Sequence, residues 1–110
     1  MKDDRLYLIH ISECIERIES YVGQTDKQEF MDSTLLQDAI IRNLQVLAES
    51  TQRLSDKMKE SESGVDFFEI AGFRNVLVHD YLGIEIERVW NILEKDMPAL
   101  KSAVKRMMDR

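Results

Sequence analysis

The sequence predicts an all-α protein, a compact four- to five-helix bundle folded as a single domain over residues 1–110. Apolar residues recur at three- and four-residue spacing along nearly the whole chain, the period of a helix with one covered face. One proline and four glycines leave few places for the chain to break. Aromatic residues make up only 7 %, and the mixture as a whole favours helices over strands. At 44 % apolar and 33 % charged, 110 residues have an ordinary globular balance, enough for one modest core.

The first helix is expected from about Asp4 to Val22, where Tyr7, Ile11, Cys14, Ile15, Ile18 and Val22 make one stripe. Gly23 should stop it at a favoured C-terminal position. Thr25 is a candidate cap for a short turn through Phe30, and Ser33 or Thr34 for a long second helix reaching roughly Glu60. The stripe of that helix is Leu36, Ile40, Leu44, Leu47, Leu54 and Met58, and Ser61 to Gly64 reads as the clearest loop.

A third helix should begin with Asp66 as its cap and run toward Asp80. Phe67, Ile70, Ala71, Phe73, Val76, Leu77 and Val78 cover almost its whole circumference, which predicts a central, buried helix. After a break at Gly83, a fourth helix carries Ile86, Val89, Trp90, Leu93 and Met97, and Pro98 suits the first turn of a fifth. Leu100, Ala103, Val104 and Met107 continue that apolar face to a charged end.

Composition also narrows function. The longest apolar runs are a few residues, too short to span a bilayer, so no membrane association is expected. Lys2, Asp3, Asp4 and Arg5 lead directly into an amphipathic stretch, unlike a secretory leader. Cys14 has no second cysteine to pair with, and a cytoplasmic location is the expectation. A net charge of −6 argues against broad gripping of nucleic acid, which relies on basic patches. A nucleic-acid substrate would need a local basic site, or a pocket built across two chains.

Chemically versatile groups concentrate in the segment from Phe73 to Tyr81. Asn75 and His79 are four apart and share a helical face, as do Arg74 and Tyr81 at seven apart if the helix continues. Arg74 and His79, five apart, diverge by roughly 140° on an ideal helix. The reach of arginine, a local distortion, or two copies meeting at an interface would bring them to one phosphate. An imidazole can take the proton of a ribose 2′-hydroxyl or protonate the leaving oxygen. A guanidinium can clamp nonbridging oxygens, and Asn75 could orient either group. By residue type alone, a buried polar network that pins helix packing is the favoured reading.

The run Arg74-x4-His79-x-Tyr81 resembles the Arg-x4-His-x-Tyr motif of HepT toxins in the HEPN superfamily, with Asn75 matching the polar residue that commonly follows the arginine. The resemblance extends over roughly Leu36 to Leu100, through Ala39 to Leu44, Leu47 to Ser50, Val65 to Gly72, Tyr81 to Ile84, and Val89-Trp90. It departs in Val65 to Phe68, where many relatives have Pro and Trp, and at Ala48-Glu49, where many have Gly-Glu.

That resemblance implies a helical homodimer acting as a metal-independent endoribonuclease, with the motif of each chain facing a shared cleft and no cofactor. It implies the toxin of a type VII HepT/MntA-like toxin–antitoxin pair. The partner would be an MntA-like minimal nucleotidyltransferase antitoxin that AMPylates the motif tyrosine, here Tyr81. Arg74, His79 and Asn75 would be the catalytic group. The alternative is a noncatalytic HEPN partner that binds a nucleotidyltransferase or a nucleotide.

Other candidates point to structure. Arg42 and Glu49 are seven apart on the second helix and could support the motif helix or form an ordinary ion pair. His10, with only Glu13 or Cys14 nearby in sequence, is too little for zinc. Cys14 and Trp90 belong with the core, and Lys101, Lys105 and Arg106 suit a solvated helix end.

Overall fold

The computed structural model describes residues 3–79 and 85–110, with side chains at all of these except 76–79. Among the described residues there are seven helices: α1 (Asp4–Val22), α2 (Lys27–Asp32), α3 (Thr34–Gln52), α4 (Asp56–Glu60), α5 (Phe67–His79), α6 (Ile86–Lys95) and α7 (Met97–Met108). No strand occurs among the described residues. Two of the seven, α2 and α4, are single short turns, so the all-α bundle rests on five longer helices.

Helix α1 starts where the Asp3 carboxylate accepts the Leu6 N–H at 3.2 Å, and it buries Leu8, Ile11, Cys14, Ile15 and Ile18. Gly23 ends it with ordinary right-handed backbone, φ −60°, rather than the left-handed turn glycine often supplies. Its smallness matters differently: a β-carbon there would stand 2.9 Å from the Glu19 carbonyl oxygen. The cap of α2 is Asp26, not Thr25; its carboxylate accepts the Glu29 N–H at 2.8 Å, while the Thr25 hydroxyl reaches the Glu29 side chain. Ser33 caps α3 by accepting from Leu36 N–H at 3.1 Å.

The predicted long second helix divides. Helix α3 stops at Gln52, and Arg53 turns its N–H to the Ser50 and Thr51 carbonyls. Leu54 dives fully into the core, and Ser55 opens α4 by accepting the Met58 N–H. Asp4, at the start of α1, holds this turn with both carboxylate oxygens: one accepts the Ser55 N–H and the other its hydroxyl, each at 2.7 Å. A straight helix would lose both bonds.

Helix α3 lies at the centre, packed against both α1 and α5; α7 covers α1, and α6 packs on α7 and α2. The core joins Leu8, Ile11, Ile15 and Ile18 to Phe30, Ile40, Leu44, Val89, Trp90, Leu100 and Val104. Phe30 and Trp90 meet with ring centroids 5.2 Å apart, near the preferred range for aromatic pairs. Pro98 sits in the first turn of α7, where its missing N–H has no intrahelical partner to lose.

Glu62, in the loop after α4, is buried and faces two guanidinium groups. Arg106 Nη2 donates to Oε1 at 2.7 Å and Arg110 Nη2 to Oε2 at 2.6 Å. The bonds from Arg106 chiefly, with Arg110 second, hold its carboxyl below the usual range against the opposing effect of burial. The same loop is fastened through Arg110 to Ser61.

Through Asn75, as far as its side chains are described, helix α5 departs from the expected central, buried position. It packs extensively on α3 alone among the described elements. Phe68 is 90 % exposed, Gly72 and Asn75 are exposed, and Phe67, Ile70, Ala71 and Phe73 are half-buried. One neighbour can cover only one face of a helix whose apolar groups surround it.

Candidate functional site

Asp66 opens α5 by accepting the Glu69 N–H at 2.9 Å, so the first turn is capped as its sequence suggests. Two turns on, Arg74 leans across to α3. Its Nε donates to Glu49 Oε2 at 2.8 Å, and its Nη1 donates to the Asn75 amide oxygen at 3.1 Å. Glu49 shares its other oxygen with Arg53 Nη2 at 3.5 Å, four residues along α3. Two guanidinium groups flanking one carboxylate make a locally positive cluster on an acidic chain, the kind of local basic site an anionic substrate would need.

The geometry fixes the guanidinium without burying it. The Arg74 side chain keeps 24 % of its surface and Glu49 keeps 39 %, so the pair is neither sealed in the core nor loose in solvent. A carboxylate on Nε sets the plane of the fork, and Nη2 has no partner among the described residues. Such a group can present its remaining N–H bonds to a phosphate oxygen in a defined direction.

Among the sequence candidates, Arg74, Asn75 and Glu49 are thus brought together. Arg42 is not: it is exposed, and the ion pairs of Glu49 run to Arg53 and Arg74. His79 is the last residue of α5, but its side chain lies outside the described residues, as do Asp80, Tyr81 and the expected break at Gly83. Arg53 was passed over in the sequence; its i, i+4 spacing from Glu49 was the available signal. The buried Glu62 clamp carried no local signal, because its partners lie 44 and 48 residues away.

The remaining candidates have structural surroundings. Cys14 is buried, and desolvation pushes its thiol up from the ordinary value. His10 is exposed, with its ring edge-on to Tyr7 at 6.4 Å. Lys101 is bound to Glu19 at 2.7 Å and Arg106 to Glu62, so these C-terminal cations are committed to carboxylates. Among the described residues, no group of three or more His, Cys, Asp and Glu side chains is placed to hold a metal ion. No described helix is long and apolar enough to cross a membrane.

Comparison with known proteins gives this geometry a family. The "Ribonuclease HepT-like" family matches residues 11–107. A "Putative RNase" of Caldanaerobacter subterraneus subsp. tengcongensis is 31 % identical over 110 residues, covering 100 % of this chain and 98 % of the relative. A "Gamma-glutamylcyclotransferase and putative RNase" of Methanocaldococcus jannaschii is 33 % identical over 98 % of this chain, which spans only 49 % of that longer protein. A "Probable ribonuclease HepT" of Thermococcus cleftensis is 28 % identical over 92 % of both chains. No solved structure gives a significant match. The match over nearly the whole chain, together with relatives of the same length, places this all-α protein in the HepT-like ribonuclease family of HEPN proteins.

Proposed function

We propose that this chain is a metal-independent endoribonuclease, acting as the toxin of a HepT/MntA-like toxin–antitoxin pair. The observation that carries the reading is the Arg74 guanidinium, fixed through Nε by Glu49 at 2.8 Å and left partly open to solvent beside exposed Asn75.

In the proposed reaction the ribose 2′-oxygen attacks the adjacent phosphorus, and the bond to the 5′-oxygen of the next nucleotide breaks. His79 acts as general base or general acid: it takes the 2′-hydroxyl proton or delivers one to the departing 5′-oxygen. Arg74 holds the nonbridging oxygens as negative charge builds on them. The products are a 2′,3′-cyclic phosphate and a free 5′-hydroxyl, and the need for a 2′-hydroxyl makes the substrate RNA rather than DNA. Glu49 is a positioning residue for Arg74, and Asn75 steadies the same guanidinium, while Arg42 stands apart from the group on the exposed face of α3.

The working unit is a homodimer in this reading. Phe68, Gly72 and Asn75 form an exposed strip at i, i+4 and i+7 on α5, and a second copy lying on that strip would bring two motifs to one cleft. Tyr81 is the proposed control point. Its phenolic oxygen attacks the α-phosphorus of a nucleoside triphosphate, pyrophosphate leaves, and AMP remains bound to the tyrosine. The added phosphate charge then competes with substrate for Arg74. The partner is a minimal nucleotidyltransferase, and the pair works in the cytoplasm.

Mass spectrometry of the chain expressed with and without its neighbouring nucleotidyltransferase, followed by RNA cleavage by each form, tests the reading. AMP on Tyr81 with cleavage confined to the unmodified form supports it. A chain that binds the nucleotidyltransferase yet never cleaves RNA or arrests growth is instead a noncatalytic partner, the alternative that the acidic net charge favours.

A further inference from the structure

Helix α5 rests on α3 without packing extensively on α6 or α7, and the gap is an apolar cleft of ≈ 260 Å³ between these elements. Its walls include the half-buried Ile70, Phe73 and Ile92, over a floor of buried Leu44 and Leu100. The rim is unlike the floor. Asp66, Glu69 and Asp96 stand there, all exposed, against one cation, Arg88.

We propose that this cleft is a docking groove for a segment of another protein that carries apolar anchors between lysine or arginine residues. The size suits a few side chains, being below the ~300–1,000 Å³ usual for small-molecule and cofactor sites. The rim decides the sign of the partner: three carboxylates repel the phosphates of RNA or a nucleotide and attract ammonium and guanidinium groups, and the net charge of −6 steers a basic partner inward. An amphipathic helix laid in the groove meets both demands, its apolar face covering Ile70, Phe73 and Ile92 while its flanking cations meet Glu69 and Asp96. Residues 66, 69, 70 and 73 share one side of α5, and the strip of Phe68, Gly72 and Asn75 lies on the other, so the groove is separate from the proposed dimer strip; Arg74, Asn75 and Glu49 do not line it, and it does not rest on the ribonuclease reading.

The test uses the full chain and a short labelled helical peptide with leucines at i, i+3, i+4 and i+7 and lysines elsewhere. Its glutamate counterpart and a scrambled lysine peptide serve as controls. Fluorescence anisotropy should show binding of the patterned lysine peptide only, weakened about tenfold by Glu69→Lys and by added salt. Methyl NMR shifts should concentrate on Ile70 and Ile92 while Glu69→Lys keeps the wild-type spectrum elsewhere. The proposal is overturned if the patterned peptide fails to bind, if the glutamate or scrambled peptide binds equally, if Glu69→Lys has no effect, or if the shifts map away from the cleft. It is also overturned if Ile70 and Ile92 shift with protein concentration alone, since a second copy would then be the occupant.

Discussion

Helices α1 and α5 both pack on α3, and both bring apolar residues to it at helical spacing, yet only α1 is closed. On α1, Ile11 and Cys14 are 0 % and 1 % exposed, and the acidic and basic residues other than Asp4 are exposed. On α5, Phe68 is 90 % exposed and no described apolar side chain is fully buried. The difference lies in arrangement rather than in apolar content. A one-sided stripe is satisfied by the neighbours that α1 has, whereas α5 is apolar nearly all round and has one main neighbour among the described elements. A helix left in this state is what the proposed dimer and docking surfaces call for, and it is the same helix that holds Arg74 out toward α3.

Breaking the working helix at its chemistry should have the largest effect. His79→Ala should lower RNA cleavage by about 10²–10⁴-fold in a single-turnover assay. Next comes the closed helix: Ile11→Ala should cost ~2–5 kcal/mol in urea unfolding, because a fully buried side chain leaves a cavity that its neighbours cannot fill. Glu49→Gln keeps the shape but loses the charge that orients Arg74. Its cleavage rate should fall on the order of tenfold, mainly in kcat, with Glu49→Asp recovering part of the loss.

A fourth effect depends on pH. Because the folded-state value of Glu62 lies below that of the unfolded chain, its contribution is complete above the unfolded carboxylate range and is lost as pH falls through the depressed folded value. Glu62→Gln should therefore lower Tm by several degrees at neutral pH, and the gap from wild type should narrow as the pH drops below about 4. The smallest effect sharpens the comparison itself. Phe68→Ala should change the stability of the isolated chain by no more than ~0.5 kcal/mol, since the ring is already in water, while weakening self-association measured by sedimentation.

Much of the fold was legible because it is set locally. The extent of α1, the Ser33 and Asp66 caps and the place of Pro98 follow from spacing and capping chemistry within a few residues. The division of the long second helix was not legible, since Asp4 reaches the turn at Ser55 from 51 residues away. Hydrophobicity marked α5 as exceptional but could not say whether its surface faces a core or a partner, because both demand the same residues. At the candidate site, spacing grouped Asn75 with His79 and aligned Arg42 with Glu49, yet the tertiary fold turns Glu49 to Arg74 and leaves Arg42 in solvent. Side-chain pairing across helices depends on where the helices lie, and periodicity does not contain that.

The central claim is that α5 carries a ribonuclease needing no metal, and the most direct measurement is cleavage of single-stranded RNA in a chelator, with the product ends identified. Wild type should yield 2′,3′-cyclic phosphates and 5′-hydroxyls, with no cleavage of the matching DNA, and Arg74→Ala and His79→Ala should be silent while unfolding like folded protein. Undiminished cleavage by His79→Ala, or wild-type cleavage that stops in the chelator, would contradict the account.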